Sequence, residues 1–346
     1  MGWLRSRLFA TPSDAALTLA ALALLYFAVP PAVDWLILGA DWSGASRADC
    51  RREGACWVFV GARFWQFMYG FYPPAERWRV DVGFLLIALA IAPIFVTRVK
   101  RKGSIALSLA VVVPAIAYVF FYGGVLGFEP VETARWGGLM VTLIVAGVGI
   151  AASLPLGVLL ALGRRSSMPL IRAVSVAFIE AWRGVPLITV LFMSAVMLPL
   201  FLPEEVTFDK LVRALIGVSI FAAAYMAEVV RGGLQAVPKG QVEAAASLGL
   251  GYWRTMGYVV LPQALRIVIP GIVNVFIALF KDTTLVLVIG LFDLLGIIKA
   301  ALSDPNWLGF AIEGYVFAGV VFWIFCFAMS RFSARLEARL GGARRS

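Results

Sequence analysis

Eight long apolar runs leave this chain few folds: roughly 15–39, 80–97, 104–125, 137–163, 170–201, 211–230, 264–298 and 308–332. A helix needs roughly 20 apolar residues to cross a bilayer core, where every backbone N–H and C=O must be paired within the protein. A membrane β-barrel would instead show short strands of alternating polarity. Hydrophobic residues make up 62% of the 346, so lipid is the expected solvent. The pattern predicts an all-α integral membrane protein with about eight transmembrane helices. The run at 264–298 is too long for one crossing and is interrupted by Lys281-Asp282-Thr283-Thr284. A spanning helix followed by a short helix at membrane depth is expected there. The first run follows MGWLRSRLFATPSD and is longer than the apolar part of a signal peptide, so it reads as an uncleaved anchor.

Basic residues set the orientation. Arg5 and Arg7, RVKRK at 98–102, Arg164 and Arg165, the stretch from Gly240 to Ala264, and Arg331, Arg335, Arg339, Arg344 and Arg345 all fall on one side of eight crossings. That side should be the cytoplasm, with both termini on it. The loop at 41–79 dissents, placing six arginines on the expected outer side. Long loops obey the rule weakly, and WVFVGARFWQFMYGFY reads as an aromatic-rich interfacial segment. Because the formal charge of +10 sits in short clusters beside apolar runs, it reports topology and not nucleic-acid binding.

Two absences exclude whole classes of function. Without histidine there is no His-based relay, metal site or nucleophile triad, and without GxxxxGK[ST] the chain does not read as its own ATPase. Cys50 and Cys56 lie outside the apolar runs and Cys326 inside one, which makes no metal pattern. Cys50 and Cys56 are candidates for a disulfide in an oxidising outer compartment.

Residues 1–136 carry three anchors and a loop with little polar content at membrane depth. From 137 to 335, by contrast, Glu180, Arg183, Glu228, Arg231, Lys281 and Asp282 lie within or beside apolar segments. Such charges are costly and usually face a bundle interior or cavity, so function is expected in this part, with 336–346 a basic tail. Glu180 and Arg183 are three apart, as are Glu228 and Arg231, a spacing that lets each couple pair on one helix face. An internal polar lock between helices is the expected role, with direct substrate contact as the other reading.

GQVEAAASLGLGYWRTMGYVVLPQA, at 240–264, is a compact helical piece between two apolar segments. Strong helix formers run from Gln241 to Leu248, with Gly249 and Gly251 beyond them. EAA at 243–245, Gly249, then Val259, Leu261 and Pro262 resemble the EAA---G---------I-LP signature of ATP-binding cassette importer permeases, with Val in place of Ile. GGLMVTLIVAGVGIAASLPLGVLLALGRRS, FIEAWRGVPLITVLFM, AEVVRGGLQAVPKGQ and LFKDTTLVLVIGLFDLL are similar to the polar amino-acid branch of that family. The front end, with GACWVFV and FYPPAERWRV, resembles the general L-amino-acid subgroup.

The resemblance implies a five-helix permease core preceded by three extra helices, in a bacterial inner membrane. It implies that Glu243, Ala244, Ala245, Gly249, Leu261 and Pro262, in a coupling element at about 239–253, dock on a separate ATPase that holds ATP and magnesium. This chain itself would bind no cofactor and catalyse no reaction. A second, related permease subunit is expected, with a homodimer as the alternative, together with a periplasmic amino-acid-binding protein. Lys281, Asp282, Thr283 and Thr284, a broken helix offering donors and a carboxylate, would line the path of a zwitterionic amino acid. Asn274 and Glu313 are further lining candidates, and a hydrogen-bonded structural turn is the other reading of the four. The competing function is an ion- or proton-coupled secondary carrier, for which no pair of repeated halves is evident.

Overall fold

The computed structural model describes residues 7–51, 53–95, 102–201, 203 and 208–341. Arg5, positions 98–101 of the RVKRK cluster, Arg344 and Arg345 lie outside them. Among the described residues the regular structure is helical, and β pairing is limited to isolated bridges. Six helices among the described residues are long and apolar enough to cross a membrane: 12–38, 103–122, 138–164, 210–236, 269–289 and 311–338. A seventh crossing arises if Pro169–Gly184 and Leu187–Phe201, bent by 105°, form one broken span. The segment expected at 80–97 is the helix Arg77–Phe95, whose first turns carry Arg77, Arg79 and Asp81. Positions 96 and 97 of that run lie outside the described residues, and six or seven crossings among those described are roughly the eight expected.

The chain divides into two compact units, residues 1–64 with 299–317, and residues 65–298 with 318–346. In the first, α1 (Pro12–Val33) opens on a capping box. Thr11 Oγ1 accepts the Asp14 N–H, and the Asp14 carboxylate accepts the Thr11 N–H, both at 3.1 Å. None of its residues is buried, as befits a helix whose leucines meet lipid. A wide turn, Asp34–Leu38, follows Pro30 and Pro31, which cannot donate to a normal helical ladder.

The loop after this turn is held by many small ties. Asp41 N–H donates to the Ala55 carbonyl at 2.8 Å and Trp57 N–H to the Asp41 carbonyl at 2.9 Å. Cys50 and Cys56 are disulfide-bonded with Cα atoms 5.6 Å apart. Asp41 Oδ1 accepts from Arg51 Nε at 3.0 Å, Arg63 pairs with Asp304, and the Arg47 guanidinium stands 5.9 Å over Phe310. The Arg51 backbone N–H, then its guanidinium, holds the Asp41 carboxyl below the usual carboxylate range. The N–H groups of Ala45 and Ser46 do the same for Asp49. α2 (Trp57–Tyr69) begins here with Val58 and Phe59 buried, the latter against Trp307 and Phe310.

In the second unit, α3 (Arg77–Phe95) and α4 (Lys102–Ala117) pack side by side. Arg79, fully buried at the start of α3, pairs with Glu76 at 3.1 Å and donates to the Phe120 and Glu129 carbonyls at 3.2 and 3.0 Å. Arg77 stands 5.7 Å over the Tyr69 ring. Five of the six arginines that dissented from the orientation rule therefore each have a defined partner in the protein; Arg52 lies outside the described residues.

The centre of this unit is α5 (Gly138–Arg164) against α8 (Lys210–Ala236). A Cβ on Gly157 would stand 2.6 Å from the Met226 side chain and 3.0 Å from the Ala227 nitrogen, so this contact requires glycine. Small residues let helix backbones approach where lipid gives no hydrophobic drive for association. α6 (Pro169–Gly184) and α7 (Leu187–Phe192) are separated by Val185 and Pro186. Pro186 is the N-cap of α7 and disfavours helical geometry at Val185, which is extended, and this places the bend. The rest is α9 (Lys239–Ser247), α10 (Leu261–Ile267), α11 (Ile269–Asp282), α12 (Leu294–Leu302) and α13 (Ala311–Gly341). The interrupted seventh run is resolved in detail: α11 stops at Asp282, a tighter 3-10 turn covers Thr283–Ile289, and left-handed Gly290 precedes α12.

Candidate coupling helix and intramembrane polar site

α9 is short because its ends are fixed by sequence. Pro238 is its N-cap and Gly249, at φ +73°, follows its C-cap Leu248. The Leu250 N–H donates to the Ala245 carbonyl at 3.1 Å and the Gly249 N–H to that of Ala246 at 2.9 Å. This is a Schellman stop, and a side chain at 249 would be strained in it. Ala245 is buried beneath the helix, whereas Glu243, Ala244, Ala246 and Leu248 face outward. Gln263 Nε2, on α10, donates to Gln241 Oε1 at 3.0 Å, tying the start of α9 to the next segment. A helical stretch from Tyr252–Arg254 through the wide turn Thr255–Val260 leads to Leu261 and Pro262 at the head of α10. The exposed large side chains of Leu248, Tyr252, Trp253 and Tyr258 complete an apolar surface around α9.

A second polar assembly spans α5, α6 and α8. The spacing predicted that Glu180 pairs with Arg183 on its own helix. The structure instead gives Glu180 Oε1 to Arg164 Nη1, at 2.8 Å, because the last turn of α5 brings that guanidinium between α6 and α8. Arg164 Nη1 also donates to Glu228 Oε1 at 2.8 Å. Glu228 Oε2 accepts from Arg231 Nε and Nη2 at 2.8 and 2.7 Å, and Arg183 Nη1 lies 3.8 Å from it. Glu228 is thus the shared carboxylate of Arg164, Arg183 and Arg231. Sequence reasoning assigned Arg164 to topology alone. Its signal was its place at the end of an apolar run whose neighbours carry two acids.

A cavity of about 200 Å³ lies between α8 and α11, walled by Phe221, Tyr225, Val275, Leu279 and Asp282 among others. Asp282, the final residue of α11, is half-buried there. Thr283 and Thr284 turn their hydroxyls back to the Phe280 and Lys281 carbonyls, at 2.8 and 3.0 Å, and satisfy the frayed helix end. Lys281 is exposed, and neither it nor Asn274, also exposed, is among the lining residues. Glu313 is buried in the first unit, where Oε1 accepts the Cys56 N–H at 3.1 Å. Tyr225, which sequence reasoning passed over, joins the two sites: its ring walls the cavity and carries the Arg183 guanidinium 5.7 Å above it. Among the described residues no group of acidic, Cys or His side chains is arranged to hold a metal.

Residues 153–342 match the family described as binding-protein-dependent transport system inner membrane component. The chain belongs to this family. It is 56% identical over 344 residues, 99% of this chain and 94% of the relative, to the inner membrane amino-acid ABC transporter permease protein YhdY of Escherichia coli (strain K12). It is 38% identical over 404 aligned positions, 98% of this chain and 93% of the relative, to the glutamate/glutamine/aspartate/asparagine transport system permease protein BztC of Rhodobacter capsulatus. A crystal structure of an amino acid ABC transporter with histidines matches with a TM-score of 0.52 and 30% identity, covering 58% of this chain and 92% of that one. The chain is therefore a multi-pass inner-membrane permease subunit of an ABC transporter, not an enzyme. The two long matches extend beyond the family core into the extra front helices.

Proposed function

We propose that this permease imports L-amino acids delivered by a periplasmic binding protein, using ATPase subunits that dock on α9 and hold the ATP and magnesium. The observation that carries the coupling role is α9 itself, a rigidly stopped helix with Ala245 as its buried foot and Glu243, Ala244 and Leu248 presented outward. Leu261 and Pro262 then start the segment that leads, through α11, to Asp282. In this reading α9 lies at the cytoplasmic face with both termini, and a second, related permease subunit completes the pathway, a homodimer being the alternative. The hub of Arg164, Glu180, Arg183, Glu228 and Arg231 acts as a polar lock between α5, α6 and α8. Asp282 offers the carboxylate of the path, with Lys281, Thr283 and Thr284 shaping the turn and Asn274 farther along α11.

The test is reconstitution with the ATPase and binding protein. Uptake of labelled amino acids should require ATP, and ATP-independent counterflow by this chain alone would establish a secondary carrier instead. Within that assay Asp282→Asn should preserve membrane abundance and basal ATP hydrolysis while lowering uptake. Asp282→Ala should lower uptake at least as far. Full uptake in the Asn variant would remove Asp282 from the path.

A further inference from the structure

Beside the hub a cavity of about 450 Å³ is lined by Arg164, Arg165, Arg172 and Arg231, with Gln235 and Val176. Its charges do not balance. Arg164 and Arg231 share Glu180 and Glu228 with Arg183, so three guanidiniums already draw on two carboxylates. Arg165 donates Nη1 to the Leu234 carbonyl at 3.0 Å, and neither it nor Arg172 has a carboxylate partner among the described residues. Four arginines line this one recess, Arg165 and Arg172 on its exposed side, and such an excess of cations calls for an anion; the planar fork of a guanidinium matches the oxygens of a phosphate group in paired hydrogen bonds.

The surroundings suit such a ligand. On α6, Leu170, Ile171 and Val174 flank Arg172 and are all exposed, giving an apolar strip beside the charged recess. A headgroup in the recess with its chains along that strip would be favoured on both counts, as in basic pockets between helices near a membrane surface. We propose that this recess is a binding site for a phosphate-bearing anion, either the headgroup of an anionic phospholipid or a soluble phosphate compound. It rests on the permease reading only for its place at the cytoplasmic face. Through Arg165 the site touches the Leu234 carbonyl near the end of α8, shortly before α9 begins, so its occupancy bears on the coupling helix.

The experiment uses the full chain reconstituted in bilayers of phosphatidylcholine with phosphatidylglycerol and examined by native mass spectrometry. Wild type should retain phosphatidylglycerol in preference to phosphatidylcholine, Arg172→Gln should weaken retention roughly tenfold, and Arg172→Lys should keep most of it. In a second arm inorganic phosphate is titrated calorimetrically against the protein in phosphatidylcholine alone. Saturable binding lost in Arg172→Gln, without lipid preference, assigns the soluble source. Arg165→Gln serves if Arg172→Gln fails to fold. Equal behaviour of wild type and variant in both arms overturns the site. Both arms omit substrate, binding protein and ATP, so their failure leaves amino-acid import standing, and failure of import leaves this site standing.

Discussion

Two arginine-rich regions of this permease look alike in sequence and are built on opposite plans. In the loop of the first unit the arginines are settled one at a time: Arg51 on Asp41, Arg63 on Asp304, Arg47 over Phe310. At the ends of α5, α6 and α8 the charges are pooled, with Arg164, Arg183 and Arg231 sharing Glu228 and Arg165 and Arg172 left over. Single exposed pairs contribute little and can be lost separately, whereas a shared carboxylate inside a helical bundle holds every member in place. The contrast teaches that arginine number reports neither topology nor function until the acids are assigned.

The most severe way to break the pooled arrangement is Glu228→Gln. It keeps the shape but leaves three guanidiniums without their common charge, and should destabilise the protein by about 3 kcal/mol or more. A fall in melting temperature and membrane abundance would register this, and unchanged stability would show the hub to be no more cohesive than the loop. Next comes Gly249→Val, which forces a β-branched residue into a left-handed backbone at a local cost of about 1–2 kcal/mol. It leaves the hub intact, so abundance should persist while ATP-driven uptake collapses, and Gly249→Asn should retain most uptake. Uptake in the Val variant equal to wild type would separate α9 from coupling.

The smallest effects belong to the loop. Arg51→Gln should leave the melting temperature unchanged, since its side chain is 77% exposed. Asp41 and Asp49 have folded pKa values below their ordinary 3.8, so their stabilisation is complete above that value and is lost as pH falls through the lowered ones. Pepsin at a pH just above 3.8 should therefore cut the loop faster in Asp41→Asn than in wild type. Equal cutting would mean that the Asp41–Arg51 pairing does not order the loop.

What could be read in the sequence was what is local. The long apolar runs, the stop of α9 at Gly249 and the faltering of α11 at Asp282 all follow from neighbours within a few residues. Pairings across distance were not readable. Glu180 stood near Arg183 in sequence, but the α5–α6 geometry gave it Arg164, sixteen residues away. Glu313 sat at the head of an apolar run like a pathway residue, yet its partner is a backbone N–H 257 positions earlier. Tyr225 looked like one more apolar helix residue until the cavity put Asp282 near one part of it and Arg183 over its ring. The helix count was legible in the same way as the local features: among the described residues six or seven helices are long and apolar enough to cross, roughly the eight expected.

That contact between Glu313 and the Cys56 N–H also sets an order of events during synthesis. Residues 1–64 leave the ribosome early, and the bridge between Cys50 and Cys56 spans only six positions, so it is free to close at once. The carboxylate and aromatic rings that complete this unit, from Lys299 to Phe317, emerge only after the helices between have been threaded into the bilayer. The front of the nascent chain must wait, oxidised but unfinished, for a piece translated near the end. A ribosome stalled before residue 299 should hold a loop whose cystine is formed and whose Cys56 amide still exchanges freely with solvent.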